Sequence, residues 1–249
     1  MSIIRHCFKL IRMIIGLVIF IFLLYSLINL TSDNNIKQFK SKETMLYYGT
    51  HNSCTYGKLV WWQWLFTPIF QLFSKCQDKN LEEQIKMGVK VFNFQVTWYK
   101  GDWYFSHGLC TYREKLRDAL ELMNQFATEE DPLYFQLYLD KNFFLGQNKD
   151  EFRDLLENEL SLTCSPGRTV ILLGAWIEGT TEYPYKSGVK INLKEHYWTS
   201  GWAEKYGKSW IDKLPLPKRH AEKYNSEYKK KYKNPESDTY LMLDYFEID

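Results

Sequence analysis

Hydrophobic and polar positions divide the 249-residue chain into an apolar block, a polar stretch, and a long alternation of short apolar runs with amphipathic segments. Positions 13–30 are almost wholly apolar, broken only by Gly16, Tyr25, Ser26 and Asn29, and Arg5, Lys9 and Arg12 precede them. About 18 apolar residues behind a basic flank, with no Ala-x-Ala-like cleavage site after them, predict an uncleaved signal anchor, with a cleaved signal peptide as the alternative, so residues 1–30 are expected to form a single transmembrane helix. The basic flank would keep the N-terminus cytoplasmic and send the remainder across the membrane as an exported catalytic domain. Thr31 to Glu43 is polar, which makes 31–44 a tether and 45–249 the folded domain.

Within that domain, MLYYGT ending at Thr50 predicts a first strand. Leu81 to Met87 predicts a helix closed by Gly88, Val89 to Val96 a second strand, and Trp103 to Phe105 a strand returning from the Gly101-Asp102 turn. Apolar residues at 116, 119, 120, 122, 123 and 126 predict an amphipathic helix over Tyr112 to Phe126. Leu133 to Leu139 reads as a strand, Lys149 to Leu160 as a helix and Thr169 to Leu173 as another strand. The pattern then weakens through Val189 to Leu193 and a basic, Tyr-rich stretch from Pro215 to Pro235, before a last strand from Tyr240 to Phe246. Strands alternating with helices over roughly 200 residues predict an α/β fold, and a closed (β/α) barrel of the TIM type fits better than an open sheet.

Composition narrows the partners. A net charge of +2 gives no reason to expect nucleic acid. Aromatics reach 17%, a level that suits a membrane surface, a sugar site or a Tyr-rich core. Leu59 to Phe73 carries Trp61, Trp62, Trp64, Phe66, Phe70 and Phe73 around Pro68, and reads either as an interfacial segment or as a buried helix.

Two histidines end runs of β-formers: His51 in Gly49-Thr50-His51-Asn52-Ser53 and His107 in Ser106-His107-Gly108. Paired imidazoles on loops at strand ends are the simplest source of a general base and a general acid. The bland reading is a pair of ordinary loop histidines. His51-x-x-Cys54 and His107-x-x-Cys110 also share one spacing, which would suit a four-ligand zinc centre or, in an exported protein, a Cys54–Cys110 bridge.

These segments, together with Gly88-Val89-Lys90-Val91-Phe92-Asn93-Phe94-Gln95, resemble the X-domain of phosphatidylinositol-specific phospholipase C, from about Met45 to the C-terminus. The resemblance implies an irregular barrel of parallel strands and attack by the substrate's own inositol hydroxyl on the phosphodiester. It matches His51 to the base and His107 to the acid. It also matches Asp244, in Leu241-Met242-Leu243-Asp244-Tyr245, to the carboxylate that orients the base. The chain departs from the family where the phosphate charge is met. Metal-independent members have an aspartate beside the first histidine and an arginine on the second strand; here Asn52 and Gln95 stand there. Calcium-dependent members use an asparagine and three acids, and the corresponding set here is Asn52, Asn93, Gln95 and Asp140. One carboxylate among three amides is a poor Ca²⁺ site, so no cofactor is expected, with calcium kept as a weak candidate. Lys90 or Lys141 would then supply positive charge. The expectation is a membrane-anchored phosphodiesterase acting on a membrane phospholipid of the phosphatidylinositol type, with weakened activity. The alternative is an impaired barrel that binds the headgroup without cleaving it. A glycerophosphodiesterase-like enzyme is a further rival, but its His-Arg-Gly and Glu-x-Asp signatures are absent.

Overall fold

The structure is a computed structural model that describes residues 46–164, 167–186, 194–195, 213–214, 216–231 and 239–248. The span read over 13–30, the tether and the strand read over 189–193 lie outside the described residues. Among the described residues no helix is long and apolar enough to cross a membrane. The expected single-pass placement, with a cytoplasmic N-terminus and an exported catalytic domain, is corrected on that finding.

The first strand, β1 (Leu46–Thr50), is followed by a 3-10 turn (Trp61–Phe66) that runs into α1 (Thr67–Ser74), with Pro68 at the helix start where its missing N–H costs nothing. Helix α2 (Leu81–Lys86) opens on a capping box in which Asn80 and Glu83 each bond the other's backbone N–H. Gly88, at φ 93°, turns the chain into β2 (Val89–Tyr99). A hairpin at Lys100-Gly101 leads to β3 (Asp102–His107), and a second leads to β4 (Cys110–Lys115). The helix expected from Tyr112 therefore splits: Cys110, Thr111 and Tyr112 are buried in β4, and α3 occupies only Leu116–Phe126. The apolar period itself begins at 116, where the helix begins, and pairing with β3 takes the four residues before it.

Next come β5 (Leu133–Leu139), α4 (Lys149–Asp154, continuing helically to Thr163) and β6 (Val170–Ile177). The short strands β7 (Tyr185–Lys186) and β8 (Lys194–Glu195) precede α5 (Pro217–Lys231) and β9 (Thr239–Leu243).

Among the described residues nine strands make one mixed sheet, ordered β7-β6-β5-β2-β1-β9-β8, with the β3–β4 hairpin attached to β2. The pairs β1–β2, β1–β9, β2–β5, β5–β6 and β8–β9 are parallel. One face carries the larger core, where Phe92, Phe94 and Phe135 meet Leu81, Met123 and Phe152 from the helices. The other face carries a smaller cluster of Val91, Tyr240 and Met242 packed against Tyr47, Tyr134 and Leu173. On that face Gln136 Nε2 donates to Tyr240 Oη at 2.6 Å. Strands β5 and β9 are three places apart in the sheet, about 14 Å if it were flat, so this bond requires the sheet to curl on itself. The hydrogen-bonded path runs from β7 to β8 and does not close among the described residues.

Candidate active site

Because β1 lies between β2 and β9, the ends of these three strands converge on His51. Strand β1 continues its pairing one residue past its end: His51 N donates to Leu243 O at 2.9 Å. The next residue of β9's chain, Asp244, is fully buried and puts Oδ1 at 2.8 Å from His51 Nδ1. An acceptor there holds the Nδ1–H tautomer and turns Nε2 toward the cleft as the proton acceptor. Tyr245, at φ 43°, turns the chain away immediately afterwards. Its N–H donates to Cys76 O, and Asn225 Nδ2 reaches the Asp244 and Tyr245 carbonyls. Gln77 Nε2 bonds His51 O and Leu243 O together, so the β1–β9 edge bearing the pair is stapled from outside the sheet.

His107 faces His51 with ring centroids 6.1 Å apart and planes at 83°. Its Nδ1 lies 2.8 Å from Ser74 O at the end of α1. Burial and the neighbouring His51 hold its pKa below the ordinary 6.5, against the opposing pull of the Ser74 carbonyl. The thiol of Cys76 sits between the two imidazoles, with Sγ 3.8 Å from His107 Nδ1 and 3.6 Å from Asn52 Nδ2.

The residues expected to meet phosphate divide into three groups. Asn52, at φ 48°, aims Nδ2 at His51 Nε2 across 3.2 Å and leaves Oδ1 buried without a partner. Asn93 holds that residue's backbone: its Oδ1 accepts from Asn52 N at 3.1 Å. Gln95, two residues on along β2, buries an unpartnered Oε1. Asp140 is fully buried at the end of β5, where it accepts from the Ser106 hydroxyl and from Gly108 N at 3.1 Å. Burial and hydrogen bonding to Glu178 push its carboxyl well above the usual range. Lys90 is not brought to the site, since its Nζ pairs with Asp131 at 2.5 Å beside the opposite ends of the strands. Lys141 is exposed at the rim next to Asp140.

These residues do not fit calcium. The one carboxylate of the set is taken up by hydrogen-bond donors, and the Asn93 oxygen is taken up by a backbone N–H. The two His-x-x-Cys pairs do not assemble a zinc centre either. Cys54, Cys76, Cys110 and Cys164 are all buried thiols without a disulfide. Cys54 neighbours Tyr56 and Glu114, whereas Cys110 neighbours Ser74 and Tyr112.

Beside the histidines lies an aromatic surface. Trp61, Trp64, Leu65 and Phe143 are 65%, 64%, 65% and 76% exposed, and Phe66 and Phe144 are each 46% exposed. Trp62 and Phe70 both pack on Phe144, which unites the two segments. Both are tied to the His107 loop, through Ser74 O and through Phe143 N to Gly108 O. Of the two readings of Leu59 to Phe73, the buried helix is excluded for Trp61, Trp64, Leu65 and Phe66, while Phe70 packs against the core.

Sequence reasoning missed Glu178 and Cys76. Glu178 follows β6 as Asp140 follows β5, and a carboxylate at a strand end was the available signal. Cys76 had no such signal, because a loop between helices brings it in.

No protein-family model matches the sequence, and no match among curated proteins reaches significance. Solved structures do match. A variant of the phosphatidylinositol-specific phospholipase C from Staphylococcus aureus is similar at a TM-score of 0.52 and 16% identity, covering 84% of this chain and 88% of that one. Another structure of that enzyme, concerned with modulation of its membrane binding, gives 0.52 and 15% over 86% and 89%. The phosphatidylinositol-specific phospholipase C from Listeria monocytogenes gives 0.50 and 13% over 86% and 92%. The chain is therefore similar in fold to bacterial phosphatidylinositol-specific phospholipase C.

Proposed function

From that shared fold and its own site, we propose that this protein is a phospholipase C-like phosphodiesterase that cleaves a phosphatidylinositol-type lipid slowly. The observation that carries the reading is the facing pair His51 and His107, one of them backed by the buried carboxylate of Asp244. An inositol hydroxyl of the lipid attacks phosphorus while His51 Nε2 takes its proton. Asp244 stabilises the imidazolium that forms. His107 gives a proton to the glycerol oxygen as its bond to phosphorus breaks. The products are diacylglycerol and a cyclic inositol phosphate. Asn52 Nδ2 must leave His51 Nε2 for this to happen, and it then becomes a donor to a phosphoryl oxygen, with Gln95 beside it. Neutral amides in place of a guanidinium suggest a rate deficit of about two to three orders of magnitude. Chemistry without a resident metal follows from the poor calcium set.

The aromatic surface beside the histidines supports a membrane as the place where substrate is met. Indoles and phenyl rings around the cleft would enter the headgroup region and bring the histidines to the phosphodiester.

A second reading, a headgroup-binding module without turnover, is favoured by the Asn52 amide lying on the base nitrogen. Phosphorus NMR of the full chain with phosphatidylinositol vesicles separates the two. The enzyme reading expects slow appearance of a cyclic phosphate, insensitivity to EDTA, loss in His51→Ala and His107→Ala, and faster turnover in Asn52→Asp with Gln95→Arg. Headgroup binding without turnover in both the wild type and that double variant would establish the module instead.

A further inference from the structure

We propose that the cleft contains a binding site for a zinc-class divalent metal, built from His51, Cys76 and Asp244, whose occupation switches off the base. The proposed reaction does not use Cys76, yet its thiol is fully buried between the two imidazoles. Among the described residues, His51, Cys76 and Asp244 form the group whose ligand atoms all lie within 4.8 Å of one another, and all three are buried. Imidazole nitrogen, thiolate sulfur and carboxylate oxygen are the donor types zinc selects, and the sulfur and nitrogen disfavour calcium or magnesium.

A further observation points to a ligand there. Asn52 Oδ1 is a buried acceptor without a partner, on an amide whose nitrogen already faces Cys76 Sγ at 3.6 Å. Rotation of that amide turns the oxygen toward the same point.

Binding displaces the Cys76 thiol proton to solvent, and metal at His51 Nδ1, beside Asp244, moves that nitrogen's proton to Nε2. Nε2 then has no lone pair for the substrate's proton, and the base is lost. Metal binding does not depend on the proposed phosphodiesterase activity; only the inhibition rests on that reading.

Calorimetric titration of the reduced full chain with Zn²⁺, and optical titration with Co²⁺, test the site without measuring activity. The expected result is one equivalent bound, with a thiolate-to-cobalt charge-transfer band. Cys76→Ser should remove the band and weaken Zn²⁺ binding about 100-fold or more, since even loss of outer-shell partners costs 10–100-fold. Cys54→Ser, Cys110→Ser and Cys164→Ser should keep both. Should Cys76→Ser fail to fold, X-ray absorption at the zinc edge of the loaded wild type takes its place, and the bound zinc should show one sulfur ligand. No binding by the wild type, a band that survives Cys76→Ser, or a bound zinc without a sulfur ligand would overturn the site.

Discussion

Replacing Asp244 by asparagine removes one charge from the base and little volume. Asp244 is fully buried, and its Oδ1 lies 2.8 Å from His51 Nδ1. When His51 accepts the substrate proton, the new imidazolium and the carboxylate have charge centres about 4 Å apart. At the effective dielectric that suits such sites, this attraction is worth about 4 kcal/mol. It exists only once the proton has moved, so it lowers the barrier without tightening substrate binding. At 1.36 kcal/mol per decade, Asp244→Asn should lower kcat about 10³-fold and leave KM nearly unchanged. The amide can also present its N–H₂ to Nδ1 and force the wrong tautomer, which acts in the same direction. The assay is phosphorus NMR or release of radiolabelled inositol phosphate at saturating lipid. Combining Asp244→Asn with His51→Ala should be no worse than His51→Ala alone, because the carboxylate acts through the imidazole. Turnover within tenfold of wild type in Asp244→Asn would refute the assignment of His51 as the base.

Three further outcomes are expected. Because burial and His51 hold the His107 pKa below 6.5, its acid form is lost at lower pH than for an ordinary imidazole. The alkaline limb of kcat/KM should accordingly fall below that value, and a limb above it would exclude His107 as the acid. Changing Trp61 and Trp64 to alanine should remove at most roughly 2–4 kcal/mol of bilayer burial per indole. Vesicle flotation should show the loss while the melting temperature hardly moves, since both side chains are already largely exposed; a large melting shift with unchanged flotation would contradict this. A Cβ on Gly49 would stand 2.4 Å from Met242 Sδ and 3.0 Å from the Val91 carbonyl. The thioether can swing aside but the backbone oxygen cannot, so Gly49→Ala should cost about 1–3 kcal/mol in urea unfolding and also lower kcat by displacing His51.

Much of the local structure was legible in the order of residues. Leu133 to Leu139 is a strand over those very residues, Leu81 begins a helix where expected, and the hairpin turn read at Gly101-Asp102 falls one residue earlier, at Lys100-Gly101. These are signals carried by near neighbours: apolar period, capping residues and residues that tolerate positive φ. The positions of His51 and His107 at strand ends were readable for the same reason. What brings them together was not, because parallel strands pair through contacts far apart in the chain. Tertiary structure placed β1 between β2 and β9, which puts Asp244 against a histidine 193 residues earlier. Pairing with β3 turned Tyr112 from helix to strand, and strand direction carried Lys90 to the end away from the histidines. Burial then decided the chemistry of side chains whose types alone say little. It made Asp140 a hydrogen-bonded partner of Glu178 rather than an open cation ligand, and set the Cys76 thiol between two imidazoles. It left Trp61 and Trp64 on the surface, where composition allowed a core. Sequence determined which elements form and where each ends; three-dimensional packing determined which ends meet, because the energy of a pairing belongs to two distant segments and is written in neither.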